Sequence, residues 1–281
     1  MLRWRLSLGA LLIGLLIALC WLDHCSAAPG LWLLPVALVA VVLSTGEILR
    51  LARTAQLRPV AWPVYATNLL LVLAHWAIRP AGLAPASGLA WIAVILALGV
   101  LAAFVAEIHR YQSPGGVTAN LGASGLAMLY VGLLLSITVQ LRMTWGVLAL
   151  VSLLVVVKMG DTGAYTIGRL IGRHKMAPVL SPGKTWEGAA GAVFFACLGS
   201  WLCFHWTAGA GIPGGWLLYG LLVGITGIFG DLAESLLKRD VGCKDSSHWM
   251  PGFGGVLDMV DSVLLAAPVA WICWALGLVS A

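Results

Sequence analysis

Charged residues are scarce in this sequence: sixteen Lys and Arg and eleven Asp and Glu make up only 10% of its 281 residues. A soluble domain of this length carries roughly a quarter charged residues. Because 61% of the residues are hydrophobic, there is too little polar surface to face water on all sides. The composition therefore excludes an ordinary soluble protein and indicates a chain solvated largely by lipid.

Two kinds of site are also missing. The six cysteines include no Cys-x-x-Cys pair, which argues against a metal framework and a disulfide scaffold, so we expect free thiols or packing residues. Gly183-Lys184-Thr185 resembles the end of a Walker phosphate-binding loop, but Pro178 stands where the first glycine of that pattern belongs. A Walker nucleotide site is therefore excluded.

Long apolar runs, in contrast, are abundant. A membrane-spanning helix needs about 20 mostly apolar residues. The first run has a basic start and small residues behind it, like a signal peptide, but its length favours an uncleaved helix. We therefore predict an all-α fold, a polytopic integral membrane helical bundle of about nine transmembrane helices. The runs lie near 6–22, 31–49, 60–78, 88–106, 118–139, 143–160, 188–206, 214–230 and 259–279.

The basic residues predict the orientation of this bundle. With the N-terminus in the cytoplasm, only Arg79 and Arg142 of the sixteen basic residues fall in outer segments. Lys and Arg concentrate in the cytoplasmic loops of membrane proteins. We therefore predict a cytoplasmic N-terminus, an outer C-terminus and a location in the bacterial inner (cytoplasmic) membrane.

The acidic residues divide the chain in a second way. Eight of the eleven lie after residue 157, in or beside the cytoplasmic segments predicted for 158–187 and 231–258. We therefore predict that residues 1–150 form a hydrophobic transmembrane scaffold. Residues 151–281 would form the catalytic transmembrane region, with its site facing the cytoplasm, and both parts would belong to one membrane-embedded unit.

Two polar segments follow the sixth apolar run. Lys158 and Asp161 stand at helical spacing, so they either pair and close the helix or line a polar mouth that admits a ligand. The segment 181–188 is rich in small residues and carries Lys184 just before a predicted helix, whose N-terminus favours anions. Its alternative role is a capping turn with a lysine that reaches the membrane interface.

The segment 230–240 carries the strongest polar pattern. Asp231, Glu234, Ser235 and Lys238 stand at i, i+3, i+4 and i+7, so they share one face of a helix. This helix continues directly from an apolar run. A polar stripe on such a helix must face protein or a water-filled cavity.

A loop rich in Gly and Pro precedes the last apolar run, and Asp258 and Asp261 follow it at i and i+3. Two carboxylates on one helix face repel each other unless a cation lies between them. Mg²⁺ takes carboxylate oxygens together with substrate phosphates. The pair therefore indicates a divalent cation site, and the alternative is that the two carboxylates complement the helix dipole.

Together these segments resemble the phosphatidate cytidylyltransferase (CDP-diacylglycerol synthase) family over roughly residues 155–265, and the last block is its most specific signature. Two positions depart from it: Phe253 replaces a histidine of the family pattern and Met259 an arginine. The matching residues are Asp161, Gly163 to Tyr165, Gly168, Arg169, Ser181, Pro182, Lys184 to Gly188, Gly230, Asp231, Glu234, Ser235, Lys238, Arg239, Lys244, Asp245, Pro251, Gly252, Gly254, Gly255, Asp258, Asp261 and Ser262.

The resemblance implies a nucleotidyltransferase that joins CTP and phosphatidic acid into CDP-diacylglycerol and pyrophosphate, a step of phospholipid biosynthesis. It implies a magnesium cofactor, with a second cation left open, and a homodimer in the lipid bilayer; no nucleic-acid partner is expected. The implied catalytic residues are Asp231, Lys238, Arg239, Lys244 and Asp258, and the implied metal ligands are Asp231, Asp258 and Asp261. The implied substrate-binding residues are Asp161, Tyr165, Arg169, Ser181, Lys184, Thr185, Glu187, Glu234, Ser235, Asp245, Gly254 and Gly255.

Three alternatives stay open at this point. The first is a CTP-dependent transferase that acts on another lipid phosphate, such as an isoprenoid ether lipid. The second is a catalytically impaired, binding-only relative that has lost turnover through Phe253 and Met259. The third alternative is an ion or metabolite transporter whose intramembrane Asp and Lys form a permeation path. Transporters often contain a repeat with matched broken helices, whereas this sequence has no apparent repeat and its charges crowd one half.

Overall fold

The structure is a computed structural model that describes residues 2–78, 85–205, 211–247 and 254–280, with side chains described from 9 to 76 and from 90 onward within the first two ranges. These residues form ten α-helices, one π-helical segment and two short strands. The elements are α1 (Leu2–Cys25), α2 (Leu34–Thr54), α3 (Ala61–Ile78), α4 (Pro85–Arg110), α5 (Val117–Ala127), the π-helical segment (Met128–Leu133), α6 (Leu134–Trp145), α7 (Val147–Ile171), β1 (Lys175–Ala177), β2 (Ser181–Thr185), α8 (Trp186–Phe204), α9 (Gly215–Asp240) and α10 (Val256–Ala275).

The helices confirm the predicted polytopic membrane bundle. In the described part of the chain, seven helical rods are long and apolar enough to cross a membrane, judged by length and composition. A shorter apolar helix covers Gly9–Cys25. The total of nine spans and the cytoplasmic N-terminus stay predictions. The seven rods are Leu34–Thr54, Ala90–Arg110, Val117–Trp145, Val147–Ile171, Trp186–Phe204, Gly215–Asp240 and Val256–Ala275.

Helix α7 is longer than its apolar run suggests. The run predicted for 143–160 stops near Lys158, but the helix continues to Ile171. Its glycines do not end it because they provide room for α8. A Cβ atom at Gly163 would lie 2.7 Å from the Cβ of Phe195 on α8, and one at Gly191 would lie 2.9 Å from the carbonyl oxygen of Gly163. Small residues of this kind let membrane helices approach closely.

The strands β1 and β2 form an antiparallel hairpin, which the all-helical prediction did not include. Lys175 pairs with Thr185, and Ala177 pairs with Ser181. The hydroxyl of Thr185 then accepts a hydrogen bond of 3.1 Å from the backbone N–H of Gly188 and caps α8. The predicted capping turn is therefore the end of a strand, and Lys184 is carried on that strand.

The chain divides into two compact units. Unit 1 comprises Met1–Met143 and Asp240–Met259, and unit 2 comprises Thr144–Arg239 and Val260–Ala281. In unit 1, the side-chain amide of Asn68 on α3 donates a hydrogen bond of 2.8 Å to Thr45 on α2. In unit 2, α7 packs along α8 through the small residues described above. The division into a scaffold before residue 150 and a catalytic region after it stays a prediction.

Candidate active site

An ion pair joins the hairpin of unit 2 to helix α9. The ammonium nitrogen of Lys184 on β2 is shielded from solvent and lies 2.8 Å from Oδ2 of Asp231. The Lys184 side chain is 19% exposed and that of Asp231 is 43% exposed. Two residues from separate sequence segments thus meet, and the carboxylate of Asp231 still reaches solvent.

Helices α9 and α10 approach most closely beside this pair. A Cβ atom at Gly230 would lie 2.7 Å from the Cα of Ser262 and 2.8 Å from the backbone oxygen of Asp261. Only glycine fits so near another backbone. The close approach places Asp231, the next residue, within electrostatic range of Asp261.

Asp261 is the buried member of this group, with 6% of its surface exposed. Its Oδ1 accepts a hydrogen bond of 2.6 Å from the backbone N–H of Ser262. Lys158 and Asp161 on α7 also lie within electrostatic range of Asp261, and they pair with each other at 3.0 Å. We call these five residues the unit 2 charge cluster: Lys158, Asp161, Lys184, Asp231 and Asp261.

Other polar residues of α9 make contacts within unit 2. Lys238 lies 2.5 Å from Oε2 of Glu234, which is only 1% exposed. The hydroxyl of Ser235 lies 3.5 Å from Oδ1 of Asp231, and Arg239 donates a hydrogen bond of 3.4 Å to the carbonyl oxygen of Leu180. The predicted polar face is therefore present, and part of it is buried in protein.

The predicted residues at the C-terminal end of α7 and at the hairpin base make local contacts. Arg169 donates a hydrogen bond of 2.5 Å to the hydroxyl of Tyr165, one turn earlier. Glu187 accepts hydrogen bonds from the backbone N–H groups of Arg173 and His174 at 3.1 to 3.3 Å. Glu187 thus closes the base of the hairpin, and its substrate-binding role stays a prediction.

An open pocket lies next to this hairpin base in unit 2. Its volume is about 850 Å³. The lining residues combine basic side chains with an exposed indole: Arg173, His174, Lys175, Trp186, Glu187 and Ala190.

Asp258 belongs to unit 1 and caps helix α10. Its Oδ2 accepts hydrogen bonds from the backbone N–H of Gly255 at 2.6 Å and from the backbone N–H and hydroxyl of Ser246 at 3.0 and 2.7 Å. Gly254 has φ +81°, a left-handed conformation that favours glycine. Asp258 therefore lies at the N-terminus of α10, where a carboxylate complements the helix dipole, which is the alternative to metal binding. Its metal-binding role stays a prediction.

Other predicted residues of unit 1 are exposed or half-buried. Lys244 and Asp245 are exposed, and Met259 is half-buried on α10. Phe253, Pro251 and Gly252 lie outside the described residues. Their part in the predicted signature loop therefore stays a prediction.

The unit 2 charge cluster has donors that suit magnesium. Among residues 9–76, 90–205, 211–247 and 254–280, no three His, Cys, Asp or Glu side chains form a group that could hold a metal ion alone. Mg²⁺ does not require such a cage, because it usually binds one or two carboxylates together with substrate phosphates. The neighbouring carboxylates of Asp231 and Asp261 fit that donor set.

Comparison with known proteins identifies the family of the chain. The sequence model of a family described as the cytidylyltransferase family matches residues 3–276. The chain belongs to the cytidylyltransferase family.

Bacterial relatives of this cytidylyltransferase carry a more specific name. A phosphatidate cytidylyltransferase of Mycobacterium bovis is 30% identical over 267 residues, which cover 94% of this chain and 87% of that relative. Matches over shorter segments have higher identity. The phosphatidate cytidylyltransferase of Haemophilus influenzae is 37% identical over 127 residues, 44% of each chain. That of Brucella suis is 43% identical over 130 residues, 46% of this chain and 47% of the relative.

Three buried acidic residues of this cytidylyltransferase were not predicted from the sequence: Asp23, Glu47 and Glu107. Glu47 on α2 is 3% exposed and contacts the N-terminus of α10 within unit 1. The signal was present in the sequence, because an ionisable residue inside an apolar run is costly and marks a specific partner or function. It was overlooked because eight of the eleven acidic residues cluster in the second half of the chain.

Proposed function

We propose that this cytidylyltransferase is a phosphatidate cytidylyltransferase, which converts CTP and phosphatidic acid into CDP-diacylglycerol and pyrophosphate. The observation that carries the proposal is the ion pair of Lys184 and Asp231, next to the close backbone approach of Gly230 to Asp261. Membership of the cytidylyltransferase family over residues 3–276 supports nucleotidyl transfer as the reaction at the unit 2 charge cluster. The relatives named phosphatidate cytidylyltransferase supply the substrate pair.

The reaction suits a site without a general base. A phosphate oxygen of phosphatidic acid, already ionised at neutral pH, attacks the α-phosphorus of CTP. The new P–O bond forms as the bond from the α-phosphorus to the bridging oxygen breaks, and pyrophosphate leaves. The obstacle is the approach of two polyanions, so catalysis depends on positioning and on fixed positive charge.

We assign the positive charge first to Lys184 of the unit 2 charge cluster. Lys184 is held beside Asp231 by an ion pair, which orients its ammonium group before substrate arrives. Lys238, Arg239 and Lys244 are the further candidates for contact with the triphosphate or the lipid phosphate. Asp161 and Tyr165 would line the space in which the substrates bind.

The proposed cofactor is Mg²⁺, with a second cation left open. Asp231 and Asp261 would hold it, and Asp258 is the third predicted ligand. When bound with a nucleotide, magnesium neutralises charge on the phosphates. The chain's own contribution is to keep two carboxylates close together at the crossing of α9 and α10, which raises the affinity of that place for a cation.

The lipid substrate and the apolar helices place the reaction at a membrane. We propose the bacterial inner membrane, with the site open to the cytoplasm and the phosphatidic acid arriving sideways from the inner leaflet. Cysteine labelling from each side of sealed membranes tests this orientation. Arg53, Lys175 and Lys244, each replaced by cysteine, should react from the cytoplasmic side. A C-terminus that reacts only from that side would refute the nine-span map.

A direct assay tests the activity. The protein, purified in detergent, is given radiolabelled CTP and phosphatidic acid with Mg²⁺ or with EDTA. We expect labelled CDP-diacylglycerol and pyrophosphate only with Mg²⁺. A lipid panel that includes an isoprenoid ether lipid phosphate separates the alternative transferase, since preference for that lipid would reassign the substrate. No product with any lipid would overturn the proposal.

The proposed assembly is a homodimer, by family analogy. Light scattering of the purified protein, corrected for bound detergent, measures the mass of the assembly. Twice the chain mass of 29.5 kDa is the expected value. A single-chain mass at assay concentrations with full activity would contradict the dimer.

A further inference from the structure

Glu47 is an acidic side chain buried inside the apolar helix α2. It is 3% exposed, and α2 is one of the rods long enough to span a membrane. Burial of an unpaired carboxylate is expensive, so a specific set of donors must compensate it. The elements that carry these hydrogen-bond donors therefore indicate the role of Glu47.

The donors come from the start of α10, more than two hundred positions later in unit 1. Oε2 of Glu47 accepts a hydrogen bond of 2.7 Å from the backbone N–H of Leu257, and Oε1 accepts one of 3.1 Å from that of Val256. These N–H groups belong to the first turn of α10, where a helix has no partners of its own. A carboxylate at that place also complements the positive end of the helix dipole.

The same carboxylate reaches the loop before α10. The hydroxyl of Ser246 lies 3.1 Å from Oε2 of Glu47 and 2.7 Å from Oδ2 of Asp258. A hydroxyl has one proton, so it donates to one carboxylate at a time. Ser246 is therefore held between the two acidic side chains, and its backbone N–H donates to Asp258 as well.

Two further observations connect α2 to this loop. Arg50, one turn after Glu47, donates a hydrogen bond of 3.3 Å to the hydroxyl of Ser247. Gly255 occupies the space between Ser246 and Glu47, and a Cβ atom there would overlap both side chains. The carboxylate of Glu47 thus explains why the residue at position 255 is a glycine.

We propose that Glu47 is a positioning residue for the transferase reaction, which fixes the N-terminus of α10 and Ser246 and thereby orients the carboxylate of Asp258. The inference rests on the proposed function. Glu47 touches no substrate in this role. It acts through Ser246 and the backbone of Val256 and Leu257.

The test compares Glu47→Ala and Glu47→Gln with the wild type. Glu47→Ala should lower kcat about 10–100-fold and raise the Mg²⁺ concentration for half-maximal rate, as loss of an outer-shell partner does. Glu47→Gln keeps one acceptor oxygen and should recover part of kcat. The KM for CTP should change less than kcat. Unchanged kcat and Mg²⁺ dependence in folded Glu47→Ala would overturn the proposal.

A matched control is Glu107→Gln. Glu107 is also a buried carboxylate of unit 1, but it pairs with Arg110 on its own helix. We expect normal kcat and normal Mg²⁺ dependence for this variant. An equal loss in Glu107→Gln would mean that any buried carboxylate of unit 1 has the same effect, which would contradict a specific role for Glu47.

A second readout does not depend on activity. Cys243 is half-buried in the loop before Ser246, and Cys25 is an exposed reference thiol. In Glu47→Ala we expect the ratio of Cys243 to Cys25 modification by a maleimide, measured by peptide mass spectrometry, to rise at least threefold. An unchanged ratio would refute the anchoring. If wild type makes no CDP-diacylglycerol but this ratio rises, the proposed function fails while the anchoring stands. If Glu47→Ala does not fold, Glu47→Gln carries both readouts.

Discussion

Unit 1 and unit 2 both contain acidic and basic side chains away from water, but they use them differently. In unit 1, Asp23 binds Arg142 in a buried pair and Glu47 caps a helix. In unit 2, Asp231 is close to both Lys184 and Asp261, and its carboxylate remains 43% exposed. A fully enclosed charge needs its partner for the fold to stay stable, whereas a partly exposed group of mixed charges can still bind a ligand.

This comparison predicts opposite outcomes for carboxylate substitutions. Loss of an enclosed partner in unit 1 should reduce stability and leave the turnover of folded molecules nearly unchanged. Loss of a carboxylate from the unit 2 charge cluster should reduce turnover and leave the fold intact. Glu47 and Asp258 are the exceptions in unit 1, because Asp258 is a predicted metal ligand and Glu47 binds the residues that orient it.

The largest effect is expected for Asp23→Ala. This change leaves the Arg142 guanidinium buried without its partner, so the free energy of unfolding should fall by about 3–5 kcal/mol. Unfolding in mixed detergent micelles measures the loss. The double variant Asp23→Leu with Arg142→Leu should restore most of the stability, because an apolar pair needs no compensation. A single variant as stable as wild type would contradict the enclosed role.

Asp231→Asn comes next and tests unit 2. The amide keeps the shape but removes the charge beside Lys184, so kcat should fall at least ~100-fold, the scale for a key electrostatic group. Asp258→Asn should show a similar loss. Thermal unfolding should stay close to wild type for Asp231→Asn. Near-normal rates in both variants would mean that the carboxylates are structural.

Gly230→Ala should have an intermediate effect. The added methyl group would meet the backbone of α10 at Ser262, so we expect about 1–3 kcal/mol of destabilisation and loss of activity as Asp231 moves away from Asp261. Gly227→Ala is the matched control one turn earlier, where the nearest atom, on Val157, is 3.8 Å away. Equal behaviour of the two variants would argue against a tight crossing of α9 and α10.

The smallest effect is expected for Met259→Arg. A planar guanidinium beside Asp258 offers bidentate contacts to phosphate, worth about 1 kcal/mol or roughly a fivefold rise in kcat. Phe253→His should add less. Turnover of both single variants and the double, at saturating CTP and lipid, measures this. If the wild type is fully active and Met259→Arg lowers its turnover, the site has adapted to methionine at this position.

Much of the membrane architecture could be predicted from the sequence alone. Each of the nine predicted apolar runs overlaps a described helix, and seven of these helical rods are long and apolar enough to cross a membrane. The physical reason is that about 20 apolar residues in lipid must satisfy their backbone hydrogen bonds within a helix. The sequence also singles out Asp231 and Lys184 as polar groups beside apolar runs, and the structure joins them in an ion pair. Their roles in catalysis and substrate binding stay predictions. The hairpin was missed because strands of three and five residues leave almost no periodic pattern.

What the sequence by itself determined is the class of the protein: a helical membrane enzyme of the cytidylyltransferase family with its acidic residues in the second half. Only the tertiary structure decided which charges meet. Lys184 pairs with Asp231, and Glu47 reaches Leu257 more than two hundred positions away. Periodicity reports the local path of a helix. Partners so far apart in sequence are set by the packing of helices, in which glycines such as Gly230 determine how closely two backbones approach.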